Sequence, residues 1–368
     1  MDYALGTRVN DEVVYQLRGT QWVIPPDFLQ ESHFRRVVQD LDWTSSPGYP
    51  YLCDFPTNRI FFQHDGHAPG EEALQRIWLL VLNRLKVRDS DPIRLFVKPE
   101  PLNSKKASSG RYRLISSVSV IDQIIDHMIF SPFNKKLIEN CHYTPIKTGW
   151  TPYVGGWRQV PLSGVVSCDK SAWDWTVKPW IIQAELRLRI SMCLNISEEW
   201  IDLAKWRYQK LFFDNTFVTS QGDLLKQKSP GVMKSGCVNT IASNSLMQLI
   251  LHTRVAIELD KPLGFIWVMG DDVMQSTQDE AYFDLLSQYC ILKEVTPRVE
   301  FAGFSYHGAR VEPNYRGKHA FNLLNQRLIY LPETAVSYSL LYHRSKYRDA
   351  MRKMLRQVTD DIPSRNEL

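Results

Sequence analysis

The 368-residue sequence predicts an α+β fold. Three observations carry that expectation. Strand-like and helical runs mix along the chain without the regular strand–helix–strand period of a parallel sheet. From Cys237 onward, Val238, Ile241, Ala242, Leu246, Leu249, Ile250, Thr253 and Ile257 recur at helical spacing and make one apolar stripe. After them, FIWVMGDDVMQS (Phe265 to Ser276) reads as a buried hairpin whose tip carries two adjacent carboxylates.

Taken in order, the first hundred residues are rich in proline and aromatic residues, with turn signals at Ser45 to Tyr51 and His67 to Glu72. EEALQRIWLLVLNRLK has the pattern of an amphipathic helix. RLFVKPEPLNSKKASSGRYRLISS reads as a strand, a basic loop and a second strand. VIDQIIDHMIFSPFNKKL, from Val120, is expected to be helical up to its proline. A β-like run at Gly164 to Cys168 leads through DKSAWDWTV into a helix start, and the stripe from Cys237 gives the long helix. Beyond the hairpin, YFDLLSQYCIL is a further helix and two short strand-like segments follow. The C-terminal SYSLLYHRSKYRDAMRKMLRQV is a basic amphipathic helix or pair of helices.

A hydrophobic fraction of 44% and a charged fraction of 23% are those of a globular chain with room for two or three lobes. A net charge of +4 permits a polyanionic partner without demanding one, so that case rests on local clustering. The six cysteines include no Cys-x-x-Cys pair and read as reduced thiols of a cytosolic protein, neither a zinc site nor a disulfide framework. The N-terminal stretch has no signal-peptide pattern, and the longest apolar run, IWLLVL, is too short to span a bilayer.

Two adjacent carboxylates repel unless a cation or proton intervenes. Gly and Asp are also ordinary turn residues, and chance alone gives Gly-Asp-Asp in roughly one such chain in ten. The rest of the chain must therefore supply matching parts. Asp169 ends the run GVVSC, where a strand presents a side chain to an edge cleft. Three carboxylates, Asp169, Asp271 and Asp272, meeting from two adjacent strands suit two Mg²⁺ ions that keep part of their shell for water and phosphate. Asp174 is either a helix cap or a polar sensor close to the metals. Thr240 and Asn244, four residues apart, share a face of the long helix, and Ser235-Gly236 makes a flexible lead into it. Such groups near a sugar could recognise a 2′-hydroxyl, which distinguishes RNA from DNA. Lys98, Lys105, Lys106, Arg111 and Arg113 fall within sixteen residues and suit a triphosphate; GRYRLIS should put Arg111 and Arg113 on one face of a strand.

Four segments, in order, resemble viral RNA-dependent RNA polymerases: KKASSGRYRLIS the basic element where nucleotides enter, DKSAWD an Asp-x4-Asp element, SGCVNTIASN a Ser-Gly-x3-Thr-x3-Asn element, and GDD the catalytic hairpin. SSPGYPY, FVKPEP and GRYRLISSVSVIDQ look most like sobemovirus-like polymerases of positive-strand RNA viruses. The resemblance covers roughly residues 45–310 and implies a right hand of fingers, palm and thumb, with an antiparallel palm sheet carrying the catalytic carboxylates. It implies fingers over 1–117 and 211–230, palm over 118–210 and 231–308, and thumb over 309–368.

The same resemblance makes Asp169 and Asp271 the principal ligands of two Mg²⁺ ions, replaceable by Mn²⁺, with Asp272 peripheral. Asp174, Ser235, Gly236, Thr240 and Asn244 would read the ribose. Lys98, Arg111 and Arg113, with Lys105 and Lys106, would hold the triphosphate. Lys293 is the nearest match to a general-acid lysine, and VEFAGFSYH (Val299 to His307) to the primer-grip strands. The cluster Arg344, Lys346, Arg348, Arg352, Lys353 and Arg356 would track duplex phosphates or form a solvated face. The implied partners are a single-stranded RNA template, nascent RNA and ribonucleoside triphosphates, with other viral replication proteins or a protein primer left open. No direct membrane span is expected, and the implied place is a viral replication complex in the host cytoplasm. A reverse transcriptase, a metal-dependent nuclease and an inactive RNA-binding scaffold are the competing readings.

Overall fold

A computed structural model of the chain describes residues 1–102 and 104–364. Residues 103 and 365–368, inside the expected fingers and thumb, lie outside the described residues. Among the described residues the strands form three sheets. The first, in the order β2-β1-β4-β5, joins β1 (Ile93–Val97), β2 (Leu114–Ser117), β4 (Thr216–Val218) and β5 (Leu224–Lys226). Two segments far apart in sequence thus share one sheet, with β1 parallel to β4. The second sheet, β6-β7-β3-β8, joins β3 (Val165–Lys170), β6 (Ile266–Met269), β7 (Asp272–Ser276) and β8 (Leu292–Thr296). Within it β3 is central and antiparallel to both neighbours. β9 (Glu300–Phe301), β10 (Phe304–His307) and β11 (Arg310–Pro313) form the third. Their β9–β10 turn puts Ala302 and Gly303 both at positive φ, the conformation a tight hairpin requires.

The long helix Thr240–Glu258 backs the second sheet and packs against the helices Tyr3–Gln16, Pro179–Ser191 and Glu280–Tyr289. It differs from the expected stripe. Almost its whole circumference is buried, including Ser243, Gln248 and His252, while Ile241 is 47% exposed. Packing on several sides leaves little solvated face, so Ser243, Asn244, Ser245 and His252 are hydrogen-bonded inside the fold, while the Gln248 amide nitrogen is buried without a partner.

The helix expected to stop at Pro132 instead runs unbroken from Val120 to Glu139. Proline at 132 leaves the Met128 carbonyl without its N–H partner. The His33 ring supplies the missing donor, Nε2 lying 3.1 Å from that oxygen. A neighbouring helix, Glu31–Gln39, thereby makes the proline tolerable. Below it, buried Arg207 bonds Asp126 at 2.6 Å and Arg84 bonds Asp122 at 2.9 Å, tying three helices together.

The basic segment between β1 and β2 is no simple loop: Ser104–Ser108 makes a helical turn. Nor do Arg111 and Arg113 share a strand face. The chain turns at Gly110, φ +63°, and the β2 strand starts only at Leu114. No described helix is long and apolar enough to cross a membrane.

Candidate active site

The two adjacent aspartates sit where β6 and β7 meet. Met269 and Asp272 are the last paired residues, so Gly270 and Asp271 form the two-residue turn. Gly270 takes φ +65°, which the first position of such a turn demands. Its N–H donates to Ser245 Oγ at 2.7 Å, and that hydroxyl in turn donates to the Ile241 carbonyl. The tip is therefore tethered to the long helix. Asp169 lies near the end of β3, opposite Glu294 of β8, and the register pairing Cys168 with Val273 brings Asp169 level with the Asp272 end of β7.

The charges interact as this placement requires. Crowding by surrounding protein, then repulsion from Asp271 and Asp169, pushes the Asp272 carboxyl up to about 6. Lys293, on β8, forms an ion pair with Asp169 Oδ2, a bond that raises the lysine above its ordinary value. Buried Lys170, next in the chain, is lowered by desolvation, which the two thiols Cys290 and Cys168 and the carboxylates Asp271 and Asp169 oppose.

Asp271 lines a cleft of about 610 Å³ with Arg113, Asp174 and Ser235. Asp169 and Asp272 line an adjoining cavity of about 140 Å³ with Glu294, Glu300 and Tyr315. The three expected metal carboxylates are thus neighbours at the hairpin tip, and their charges act on one another. Among the described residues no three His, Cys, Asp or Glu side chains close into a metal-holding group. The donor chemistry still fits a hard divalent cation: oxygen ligands from two elements, mutual repulsion that a cation would relieve, and room for water or phosphate to complete its shell.

Asp174 and Asn244 meet directly. Asn244 Nδ2 donates to Asp174 Oδ1 at 2.8 Å, and Trp173 Nε1 donates to Asn244 Oδ1 at 3.0 Å. An indole nitrogen only donates, so Trp173 fixes which way the Asn244 amide points. Burial raises the Asp174 carboxyl; the Asn244 bond works the other way, and repulsion from Asp271 adds to the rise. Thr240 is placed differently. Its hydroxyl lies 2.8 Å from both the Lys234 and Cys237 carbonyls, at the start of the helix and not in the cleft.

Ser235 and Gly236 are held against β2. Ser116 N donates to Ser235 Oγ at 3.1 Å, Ser235 N donates to Ser116 Oγ at 2.9 Å, and Gly236 N donates to the Ser116 carbonyl. A Cβ on Gly236 would stand 2.5 Å from that carbonyl oxygen, so the close approach needs glycine. The expected flexible lead is a stapled one. Beneath it lies Lys234, 1% exposed, whose Nζ donates to Gln227 Oε1 and to the Val232 carbonyl, both at 2.8 Å. Desolvation pushes this lysine down to about 7.

Of the basic set, Arg113 lines the cleft. Lys98 lies with it through Glu100, whose Oε2 is 3.7 Å from Lys98 Nζ and 3.4 Å from Arg113 Nη1. Lys105, Lys106 and Arg111 are exposed on the turn beyond and do not line the cleft. Within the C-terminal cluster, Arg352 is buried and bonds the Pro363 carbonyl, so it does not belong to a solvated face, while partly exposed Arg344 lies over the Trp157 ring.

Ser116, Trp173 and Lys234 escaped the sequence reading. Trp173 and Lys234 had a signal in their position, directly beside Asp174 and Ser235. Ser116 had none, because its partner lies 119 residues away.

The family profile described as viral RNA-dependent RNA polymerase matches residues 29–307. The replicase polyprotein P2AB of Southern bean mosaic virus is 29% identical over 292 residues, covering 73% of this chain and 29% of that protein. That of Southern cowpea mosaic virus is 34% identical over 268 residues, covering 66% and 27%. Protein P1-P2 of Pea enation mosaic virus-1 is 29% identical over 370 residues, covering 88% and 30%. The chain thus spans less than a third of the length of these curated relatives. Among solved structures, the sicinivirus 3Dpol RNA-dependent RNA polymerase superposes with a TM-score of 0.72 at 15% identity, covering 99% of this chain and 83% of that one. The fold is therefore the right-hand α+β fold that the sequence led us to expect.

Proposed function

This chain belongs to the viral RNA-dependent RNA polymerase family, and from that premise we propose that it copies an RNA template by adding ribonucleotides to a primer 3′-hydroxyl. One observation carries the reading furthest. The Asp174–Asn244 pair, a polar group suited to a ribose 2′-hydroxyl, is built beside the cleft that also holds Asp271, Ser235 and Arg113. The competing nuclease has no use for that pair, and an inactive scaffold has no use for three intact aspartates.

Asp169 and Asp271, with Asp272 behind them, would hold two Mg²⁺ ions, for which Mn²⁺ substitutes. When bound, the ions would activate the attacking hydroxyl and stabilise the leaving pyrophosphate. The chain's own residues do the positioning. Arg113 and Lys98 hold the triphosphate, with Lys105, Lys106 and Arg111 at the outer edge of the same element. Asp174 and Asn244 read the sugar, Ser235 and Gly236 supply the adjoining wall, and Thr240 supports them by fixing the helix start. Lys293, a hydrogen bond from Asp169, is the general acid that protonates the leaving pyrophosphate. Most of the rate enhancement then comes from orientation and electrostatic stabilisation.

The shared sheet of β1, β2, β4 and β5 supports fingers over 1–117 and 211–230; the β6-β7-β3-β8 sheet supports palm over 118–210 and 231–308. The remaining 309–368 is the thumb. The relatives are named as viral replicase polyproteins, which supports a reading of the site of action as a replication complex in the host cytoplasm. Template, nascent RNA and ribonucleotides are its partners, with other replication proteins or a protein primer as further ones. The test is incorporation on a defined RNA template with ribo- or deoxynucleotides. Template-directed incorporation of ribonucleotides alone supports the reading. Deoxynucleotide incorporation at a similar rate would point to a reverse transcriptase, and degradation of the template to a nuclease.

A further inference from the structure

Glu100 stands where three cations converge. Lys98, Arg113 and Lys318 approach the same oxygen, Oε2, at 3.7, 3.4 and 3.4 Å. Lys98 and Arg113 come from the first sheet and its approach. Lys318 lies 218 residues further on, in the helix Arg316–Asn325 that follows β11. No sequence motif pointed to it.

The exposures show how the cluster is stacked. The Glu100 side chain is 11% exposed, whereas those of Lys98, Arg113 and Lys318 are 41%, 61% and 46% exposed. The carboxylate is an inner anchor and the cations reach outward from it. Burial opposes ionisation of Glu100, yet the three positive charges outweigh it and hold its carboxyl below the usual range. One negative charge against three leaves the cluster with excess positive charge. Partly exposed cations gathered with such an excess are arranged to bind an anion richer in charge than one carboxylate.

The neighbourhood fits. Arg113 lines the cleft with Asp271 and Asp174. Tyr315, whose ring lies 6.0 Å from Lys318 Nζ, lines the adjoining cavity with Asp169 and Asp272. Lys318 therefore touches the basic element through Glu100 and lies close to Tyr315, which lines the cavity of Asp169 and Asp272.

We propose that Lys318 is a third cation for the nucleotide's triphosphate, supplied by the C-terminal region and held in place with Lys98 and Arg113 by Glu100. The inference rests on the reading that Lys98 and Arg113 bind the triphosphate. Glu100 is a positioning residue: it fixes where the three cations gather and does not touch the reacting atoms.

The experiment measures ribonucleotide KM and kcat in primer extension, and inhibition by inorganic pyrophosphate, for the native protein, Lys318→Ala, Lys318→Arg and Lys98→Ala. The expected result is that Lys318→Ala raises KM about tenfold, the weight of a charge-assisted contact. Pyrophosphate inhibition weakens by a similar factor, kcat changes much less, and Lys318→Arg restores both. If Lys98→Ala raises KM but Lys318→Ala leaves KM and pyrophosphate inhibition unchanged, the inference is overturned and the triphosphate reading stands. If neither variant changes them, the triphosphate reading fails and the inference fails with it. Thermal unfolding of each variant separates loss of binding from loss of fold.

Discussion

Asn244 donates through its amide nitrogen to Asp174 at 2.8 Å while Trp173 holds its carbonyl oxygen at 3.0 Å. Neither end of the Asn244 side chain is free to rotate, so the helix Thr240–Glu258 fixes the position of Asp174, which lines the cleft.

That arrangement predicts sugar selectivity. Asn244→Ala should lower the preference for ATP over dATP, measured as the ratio of kcat/KM values, by about tenfold, since a lost hydrogen bond to a charged group costs about 1.5–3 kcal/mol. Trp173→Phe keeps the packing but releases the amide, and should lower the ratio by a smaller factor. An unchanged ratio in both variants would detach the pair from ribose recognition.

The proline inside the helix Val120–Glu139 gives a stability prediction. His33→Ala leaves the Met128 carbonyl buried without a donor and should cost about 1–3 kcal/mol in chemical denaturation. Adding Pro132→Ala returns a backbone N–H to that carbonyl, so the double variant should be more stable than the sum of the single effects. Strict additivity would mean that the His33 ring does not replace the missing donor.

Acid sensitivity has an identifiable source in His252. Its Nε2 lies 2.9 Å from the Leu263 carbonyl, which only accepts, so Nε2 carries the proton and Nδ1 accepts from the Tyr282 hydroxyl. Burial, opposed by the Leu263 contact, pushes the imidazole down to about 4 from 6.5. The unfolded chain therefore binds the extra proton first. Stability from this group is full above about 6.5 and is lost as pH falls toward 4, by an amount on the order of 3 kcal/mol. Denaturation midpoints should fall less steeply over this range in His252→Gln than in the native protein. Parallel pH curves would assign the acid loss to other groups.

The parts legible in the sequence were those carried by short-range pattern. The hairpin tip, the strand carrying Asp169 and the helix carrying Asn244 all follow from local spacing, because each residue's element could be named from its neighbours; that Asn244 bonds Asp174 across 70 residues does not. The rest depended on contacts between distant segments. His33 meets Met128 across 95 residues, Ser116 meets Ser235 across 119, and Glu100 meets Lys318 across 218. Local propensity does not encode such pairings. The same cause explains the misread long helix: a single apolar stripe presumes one solvated face, whereas packing on several sides buries Asn244 and Ser245 as fully as Leu246. Thr240 illustrates a third limit, since its hydroxyl could face either a ligand or its own helix start, and only the fold decides.

On this reading the hairpin's aspartates serve a metal-dependent polymerase. Primer extension on a defined RNA template with Mg²⁺, comparing the native protein with Asp271→Ala, tests it most directly. Ribonucleotide incorporation should follow the template and be lost in the variant, with both proteins unfolding at similar temperatures. Incorporation that survives Asp271→Ala would contradict it.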